Sequence, residues 1–370
     1  MSHYYIHQNK NWANFTWDNE SLLPLLGTVR NLQGKLFGKM AALGFDLKQE
    51  ANLETLTLDV LKTSEIEGEF LQPEQVRSSI ARHLGMDIHG LVPSDRDVDG
   101  VVEMMLDATQ NYSYPLTSDR LFAWHSSLFP TGRSGMYKIN VGQWRKDEKG
   151  PMKVVSGAID KQRVHFQAPD AILLEAEMQH FIDWFNSEQR LDAVLKAGIA
   201  HLWFITIHPF DDGNGRIARA ITDLQLSKSE DGAQRFYSMS AQIRLQRSSY
   251  YAILEKTQKG SLDISEWLQW FLDCLMEALN ATDKTLVRVL SKAAFWEKHA
   301  TTILNERQIL MINKLMGQFE GNLTSSKWAK ITKCSTDTAL RDIQDLLNKG
   351  ILNKAHSGGR STNYHLLPPQ

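Results

Sequence analysis

Residues 207–220 read IHPFDDGNGRIARA, a polar, glycine-rich loop between two apolar stretches of helical periodicity. Pro209 disfavours helical geometry in the residue before it, so the helix predicted over about 191–207 ends at His208. A second helix is predicted to start near Gly215. Gly213 and Gly215 permit backbone conformations that other residues avoid. Amides in such a turn, at a helix N-terminus, form an anion nest. Arg216 and Arg219 are three apart and share one face of the following helix. Two guanidinium groups beside a nest suit a di- or triphosphate. Asp212 offers the hard oxygen that magnesium takes, and His208, with a near-neutral pKa, is a natural general base. Taken singly, these pieces read as a turn, a helix-end histidine and a solvated arginine pair. Gathered within twelve residues, they point to a loop that handles phosphate.

Around this loop helical periodicity dominates. Apolar residues at three- and four-residue spacing predict helices over 31–44, 53–67, 73–84, 97–112, 117–128, 169–187, 248–259 and 264–294. Residues 152–167, MKVVSGAIDKQRVHFQ, break the pattern: two β-rich runs flank a polar turn, which predicts a hairpin over Val154–Phe166. The expected organisation is mainly α, with an N-terminal helical domain over 1–50, a helical core over 51–295 and a small C-terminal domain over 303–370. A length of 370 residues fits several domains. With 42% hydrophobic and 23% charged residues, the chain has the composition of a globular protein. No apolar run is long enough to span a bilayer, the N-terminus lacks the apolar core of a secretory signal, and Cys274 and Cys334 form no metal pattern. A cytoplasmic protein with no membrane association is expected. The net charge of −2 predicts no global attraction to nucleic acid.

The loop resembles the motif of the Fic family, His-x-Phe-x-Asp/Glu-Gly-Asn-Gly-Arg-x-x-Arg, at His208, Phe210, Asp212, Gly213, Asn214, Gly215, Arg216 and Arg219. The resemblance implies a Fic helical core and transfer of AMP from ATP, with Mg2+, to a hydroxyl side chain of a protein. By the same resemblance, His208 would deprotonate the hydroxyl and Phe210 would anchor the loop. Asp212 would hold magnesium, Asn214 and the neighbouring amides would orient the α-phosphate, and Arg216 and Arg219 would hold the β- and γ-phosphates. A kinase-like branch carries Lys in place of a glycine in Gly-Asn-Gly, and Gly215 argues against it. Relatives that transfer UMP or phosphocholine have similar loops, so transfer of another group stays open.

Residues 63–68, TSEIEG, allow a capping-box reading at Ser64-x-x-Glu67, but apolar periodicity starts well before Ser64. The segment resembles the inhibitory-helix motif of Fic proteins at Thr63, Glu67 and Gly68. That implies autoinhibition, with Glu67 competing with the ATP γ-phosphate for Arg219, and it leaves removal of AMP as a second role for Glu67. The hairpin corresponds to the Fic flap, whose exposed edge would pair with an extended protein substrate. Tyr250, Tyr251 and Leu254, in SSYYAILEKTQKG, are candidates for an adenine slot, although an aromatic stripe also suits a core. The C-terminal segment resembles a winged helix, with SGGRSTNYHL as the wing. From Leu323 onward it holds seven basic residues against three acidic ones. That is a thin excess for nucleic acid, and target recognition or domain packing is favoured over a DNA-binding regulator with a nucleotide-sensing core. Self-modification and a homodimer are further expectations from the family.

Overall fold

In the computed structural model, residues 5–367 are described, apart from 87–89, 149, 158–160, 189, 317–318, 320 and 356–361. The turn of the expected hairpin and part of the expected wing therefore lie outside the described residues.

The stretch before the loop is apolar on every face, and such a helix belongs at the centre of a core. It forms α7 (Ala193–Ile207), in which every residue after the first is buried. The six-residue loop 208–213 turns the chain back, and α8 (Asn214–Glu230) packs along α7. The remaining core helices surround this pair. These are α1 (Asn19–Ala41), α2 (Phe45–Ile66), α3 (Pro73–His83), α4 (Arg96–Gln110), α5 (Ser118–Leu128), α6 (Leu174–Asn186), α9 (Met239–Leu245), α10 (Arg247–Gln258) and α11 (Ser265–Lys298). The long α11 runs against α1 and α2, while α2 also packs on α9, α3 and α8.

The periodicity located most helices but not all their ends. Asp18 accepts hydrogen bonds from the Glu20 and Ser21 amides, so α1 starts a dozen residues before the expected 31 and carries Pro24 within it. The expected break at residue 50 falls inside α2. The helix expected from 169 starts at Leu174, because the strand Arg163–Gln167 and a single 3-10 turn occupy the residues before it.

Two short hairpins lie ahead of the loop: β1 (Arg133–Ser134) with β2 (Tyr137–Lys138), and β3 (Lys153–Ser156) with β4 (Arg163–Gln167). The second is antiparallel, with a register shift between Val154 and Val155, and Phe166 is buried against Tyr5. At the C-terminus α12 (Glu306–Met316), α13 (Ser325–Thr332) and α14 (Thr336–Asn348) precede the hairpin β5 (Leu352–Lys354)–β6 (Tyr364–Leu366). These elements enclose a core of their own around Trp328, Met311 and Ile343. Lys314 of α12 pairs with Glu74 at the start of α3. No helix among the described residues is long and apolar enough to cross a membrane.

Gly100 shows how tightly α4 meets α5. A Cβ there would overlap the carbonyl of Ser127, a backbone atom that cannot step aside. Alanine in a helix ordinarily stabilises relative to glycine by up to ~1 kcal/mol. Gly100→Ala is expected to reverse that sign and destabilise by about 1–3 kcal/mol, read as a lower midpoint in urea unfolding.

Candidate active site

The loop conformation begins with His208, which ends α7 in the left-handed region at φ 52°. The His208 ring donates from Nδ1 to the Ile205 carbonyl at 3.2 Å, because a carbonyl can only accept. Nε2 is then left bare, as a proton acceptor must be. Burial lowers the His208 pKa to about 4, so the ring is neutral at pH 7. Phe210 is fully buried and stacks on His125 at 4.2 Å. His125 accepts from the Gly142 amide through Nδ1 and donates from Nε2 to the Asp212 carbonyl.

Asn214, which the resemblance implied would help orient the α-phosphate, turns its side chain to the loop. Its side chain donates to the Phe210 carbonyl and accepts from the Phe210 amide, at 2.8 and 3.0 Å. It closes the loop on itself and shapes the nest. Gly213, at φ 79°, starts α8 with no side-chain cap, so the first amides of α8 stay available to an anion. Asp212 accepts from the Gly213 amide and from the Ser134 hydroxyl. One carboxylate beside an anion nest fits magnesium, which prefers one or two carboxylates plus phosphate oxygens.

Glu67 reaches this site from the end of α2. Arg219 donates from Nη2 to Glu67 Oε1 at 2.7 Å and to the Thr63 carbonyl at 2.9 Å, and from Nε to Thr63 Oγ1 at 2.7 Å. The guanidinium is 2% exposed and its Nη1 has no partner, whereas the Glu67 side chain is 30% exposed. Burial would weaken the charge on Arg219, and Glu67 beside it restores it. Gly215 is required by this arrangement, since a Cβ there would run into Glu67 Oε1. Gly68, at φ 87°, turns the chain out of α2 immediately afterwards.

Two residues of the site were missed in the sequence. Glu69 pairs with Arg216 at 2.5 Å, so both arginines of the loop are held by carboxylates from the α2–α3 connection. Burial and the nearby Asp212 and Glu67 push the Glu69 pKa up against the pull of Arg216. The other is Arg145, which is 2% exposed. It donates to the His208 carbonyl at 2.8 Å, the Pro169 carbonyl at 2.5 Å and Asp147 at 2.6 Å, and its amide donates to the Pro209 carbonyl. It therefore ties the loop to the end of β4. The TSEIEG alternation could have suggested Glu69, which follows two residues after Glu67. Nothing local marks Arg145.

The adenine candidates separate. Tyr250 is buried and bonds His201 at 2.8 Å, and Leu254 is buried, so both pack the core. Tyr251 is 37% exposed, with the Arg247 guanidinium 5.0 Å over its ring. Arg247 also donates to the Ile66 carbonyl.

Residues 115–226, which hold the loop, match the family model described as Fic/DOC family. The chain carries a Fic/DOC domain. Residues 5–86, which hold Glu67, match a domain of unknown function, DUF4172. Among curated relatives, protein adenylyltransferase Fic of Drosophila willistoni is 36% identical over 111 residues, 30% of this chain and 19% of that protein. Protein adenylyltransferase fic-1 of Caenorhabditis elegans is 27% identical over 258 residues, 66% of this chain and 47% of that one. The chain thus spans less than half the length of these relatives. A Fic family protein from Desulfovibrio desulfuricans G20 shares the fold with a TM-score of 0.52, at 20% identity, over 94% of this chain and 96% of that one. Fic-1 of C. elegans does so with a TM-score of 0.51, at 20% identity, over 74% of each chain.

Two outcomes check this Fic site. Arg145→Ala leaves the His208 and Pro169 carbonyls and Asp147 without their donor, and is expected to cost about 3 kcal/mol or more in urea unfolding. His208 binds its proton near pH 4 when folded and near 6.5 when unfolded, so the unfolded state takes up protons first. Its share of stability is complete above pH 6.5 and is lost as pH falls from 6.5 to 4, and His125 acts in the same direction. NMR titration of the His208 ring should give a midpoint near 4.

Proposed function

We propose that this chain transfers AMP from ATP to a hydroxyl side chain of a protein and that Glu67 restrains it. The observation that carries this reading is Arg219, a buried guanidinium beside an uncapped helix N-terminus, held by Glu67 and Thr63 with one of its three nitrogens unpaired. A triphosphate lying along the start of α8 would place its terminal phosphate on that guanidinium, where the Glu67 carboxylate now sits. The two anions exclude each other by occupancy and by charge.

Each side chain then has a task. His208 takes the proton of the attacking hydroxyl on its bare Nε2. The hydroxyl oxygen forms a bond to the α-phosphorus as the bond to the departing pyrophosphate breaks. Arg216, once released from Glu69, and Arg219 offset charge on the pyrophosphate, and the α8 amides position the α-phosphate. Magnesium bound with ATP would supply further charge neutralisation, and Asp212 is the residue that would hold it. Tyr251 and Arg247 offer a flat face to the adenine. The β3 edge of the hairpin offers backbone pairing to an extended target. The C-terminal unit is read as a winged helix that serves target recognition or packing. The relatives named adenylyltransferases support the reaction class, and the match of all eight specified loop positions supports the residue roles.

With labelled ATP and magnesium, Glu67→Gly is expected to raise AMP transfer about tenfold or more, because Arg219 is then free for the terminal phosphate; tenfold corresponds to ~1.4 kcal/mol of competition. In that background His208→Ala should lower transfer by ~10²–10⁴-fold while ATP binding persists. Label transferred from CTP, GTP or UTP in preference to ATP would favour a different nucleotide, and unchanged transfer in Glu67→Gly would remove the restraint.

A further inference from the structure

Helix α2 has two unlike sides. Asp59 and Thr63 are buried against the core. On the other side Glu54, Thr57, Leu58, Leu61, Lys62 and Glu65 recur at helical spacing and form one row. That row is left open. It lines a cavity of about 710 Å³ whose other walls come from α3, α11, and α12 and α13 of the C-terminal unit. The volume lies in the range of ligand sites, roughly 300–1,000 Å³. The connection Phe70–Gln72 belongs to the same lining. Leu58, Leu61 and Leu310 are only half-buried, and Phe70 is 76% exposed.

The charges on these walls are not balanced. Among the described residues, six lysines and arginines line the cavity against three glutamates, in a chain whose net charge is −2. Several of the carboxylates are shared. Glu50, behind the wall, accepts from both Arg77 and Lys292, at 2.9 and 2.6 Å. Glu65 pairs with both Lys62 and Arg244, at 2.5 and 2.9 Å. One carboxylate between two cations meets neither fully, so an arriving carboxylate finds donors ready for it. A seam that merely joined two units would close its leucines and match its charges one to one. The interleaved glutamates and leucines suit spaced carboxylates on a peptide, because a continuous row of phosphates would have to pass like charges and apolar walls. The cavity also lies close to the nucleotide loop, since Phe70 directly follows Glu69, whose carboxylate is on Arg216.

We propose that this cleft docks an acidic segment of the protein substrate that also carries aliphatic or aromatic residues. The inference rests on the transferase reading and names the class of its substrate. Carboxylates of the segment settle on Arg77, Lys292 and Lys314. Its apolar side chains cover Leu58, Leu61, Leu310 and Phe70 and take them out of water. The flap holds the residues around the hydroxyl, and the cleft holds a second segment of the same protein, which raises the effective concentration of that hydroxyl at the site.

The test uses the full chain as Glu67→Gly and a fluorescein-labelled random copolymer of glutamate and tyrosine, with a copolymer of lysine and tyrosine as control. Fluorescence anisotropy is expected to show binding of the acidic copolymer that weakens with added salt, and none of the basic one. Lys292→Ala together with Lys314→Ala should weaken binding about tenfold, on the scale of two surface ion pairs. That double variant leaves Glu50 on Arg77 and Glu74 open to solvent, so the fold is retained. Phe70→Ala, at an exposed position, should weaken binding as well. With ATP and magnesium, KM for AMP transfer to the tyrosines of the acidic copolymer should rise by the same factor in the double variant, while kcat and ATP affinity hold. A purely structural role for the two lysines would lower kcat and the urea midpoint instead. Equal binding of the two copolymers, or binding and KM unchanged in the double variant, overturns the proposal and leaves the transferase reading standing. So does a DNA oligonucleotide that binds more tightly than the copolymer and is lost in the double variant, which would make the cleft a nucleic-acid site. Absence of AMP from every residue and every added protein counts against the transferase reading itself, and the substrate assignment falls with it even where anisotropy shows binding.

Discussion

A guanidinium buried to 2% exposure needs partners, and the site is organised around how Arg219 finds them. An unpaired buried charge costs several kcal/mol. Thr63 supplies two acceptors from within α2, Glu67 a third, and Nη1, beside Gly215, is left without a partner. The Thr63 contacts are neutral and wholly enclosed. The Glu67 contact is charged and opens on solvent, with that side chain 30% exposed. Glu67 is therefore the partner that can be exchanged, since its carboxylate can regain water on leaving. Another anion at the same place would keep Arg219 satisfied throughout.

The rest of α2 limits the route that the proposed exchange would take. Ten of its residues are buried, and the face that carries Glu67 carries Thr63 and Asp59 at four-residue steps. Asp59 accepts from Ser238 in a fully enclosed layer where Asp223 of α8 pairs with Arg235. Asp223 stands one turn beyond Arg219 on α8, so α2 is held at two successive levels, by Arg219 of α8 at the outer one and by Ser238 at the inner one. Departure of the whole helix would break both and expose the apolar residues between them. Rotation of one side chain at the helix end, next to the left-handed turn at Gly68, breaks only the outer one. The packing thus favours a local release over a movement of α2.

The loop was legible because its residue types are costly elsewhere. Glycines, a pre-proline histidine and paired arginines crowd into twelve positions, and chemistry of that density is visible without coordinates. The helical class was legible for the same reason that α7 is central, in that its apolar character runs all round. Glu67 was legible from a short motif placed upstream of the loop. Glu69 and Arg145 were not, because an acid in a turn and an arginine in a loop are the commonest surface residues, and only tertiary contacts give them work. Tyr250 failed as a slot residue through the opposite ambiguity: its hydroxyl meets a buried histidine, so the ring that looked available for a ligand is part of the core. The bonds from Asn214 to Phe210 were not legible, since the motif gives identity and not the rotamer.

The backbone of His208 needs an explanation of its own. A non-glycine residue at φ 52° costs of the order of 1–3 kcal/mol and persists only where its surroundings over-determine it. They do so here from both sides. The His208 amide still completes α7 by donating to Phe204, the His208 carbonyl accepts from Arg145, and the Pro209 carbonyl accepts from the Arg145 amide. Phe210, locked against His125 and bracketed by Asn214, fixes where the chain goes next. The left-handed residue turns its ring back on the last turn of α7, so that Nδ1 meets Ile205 and Nε2 is released. The strain is therefore what sets which ring nitrogen is free, and Arg145 joins that choice to the strand that borders it.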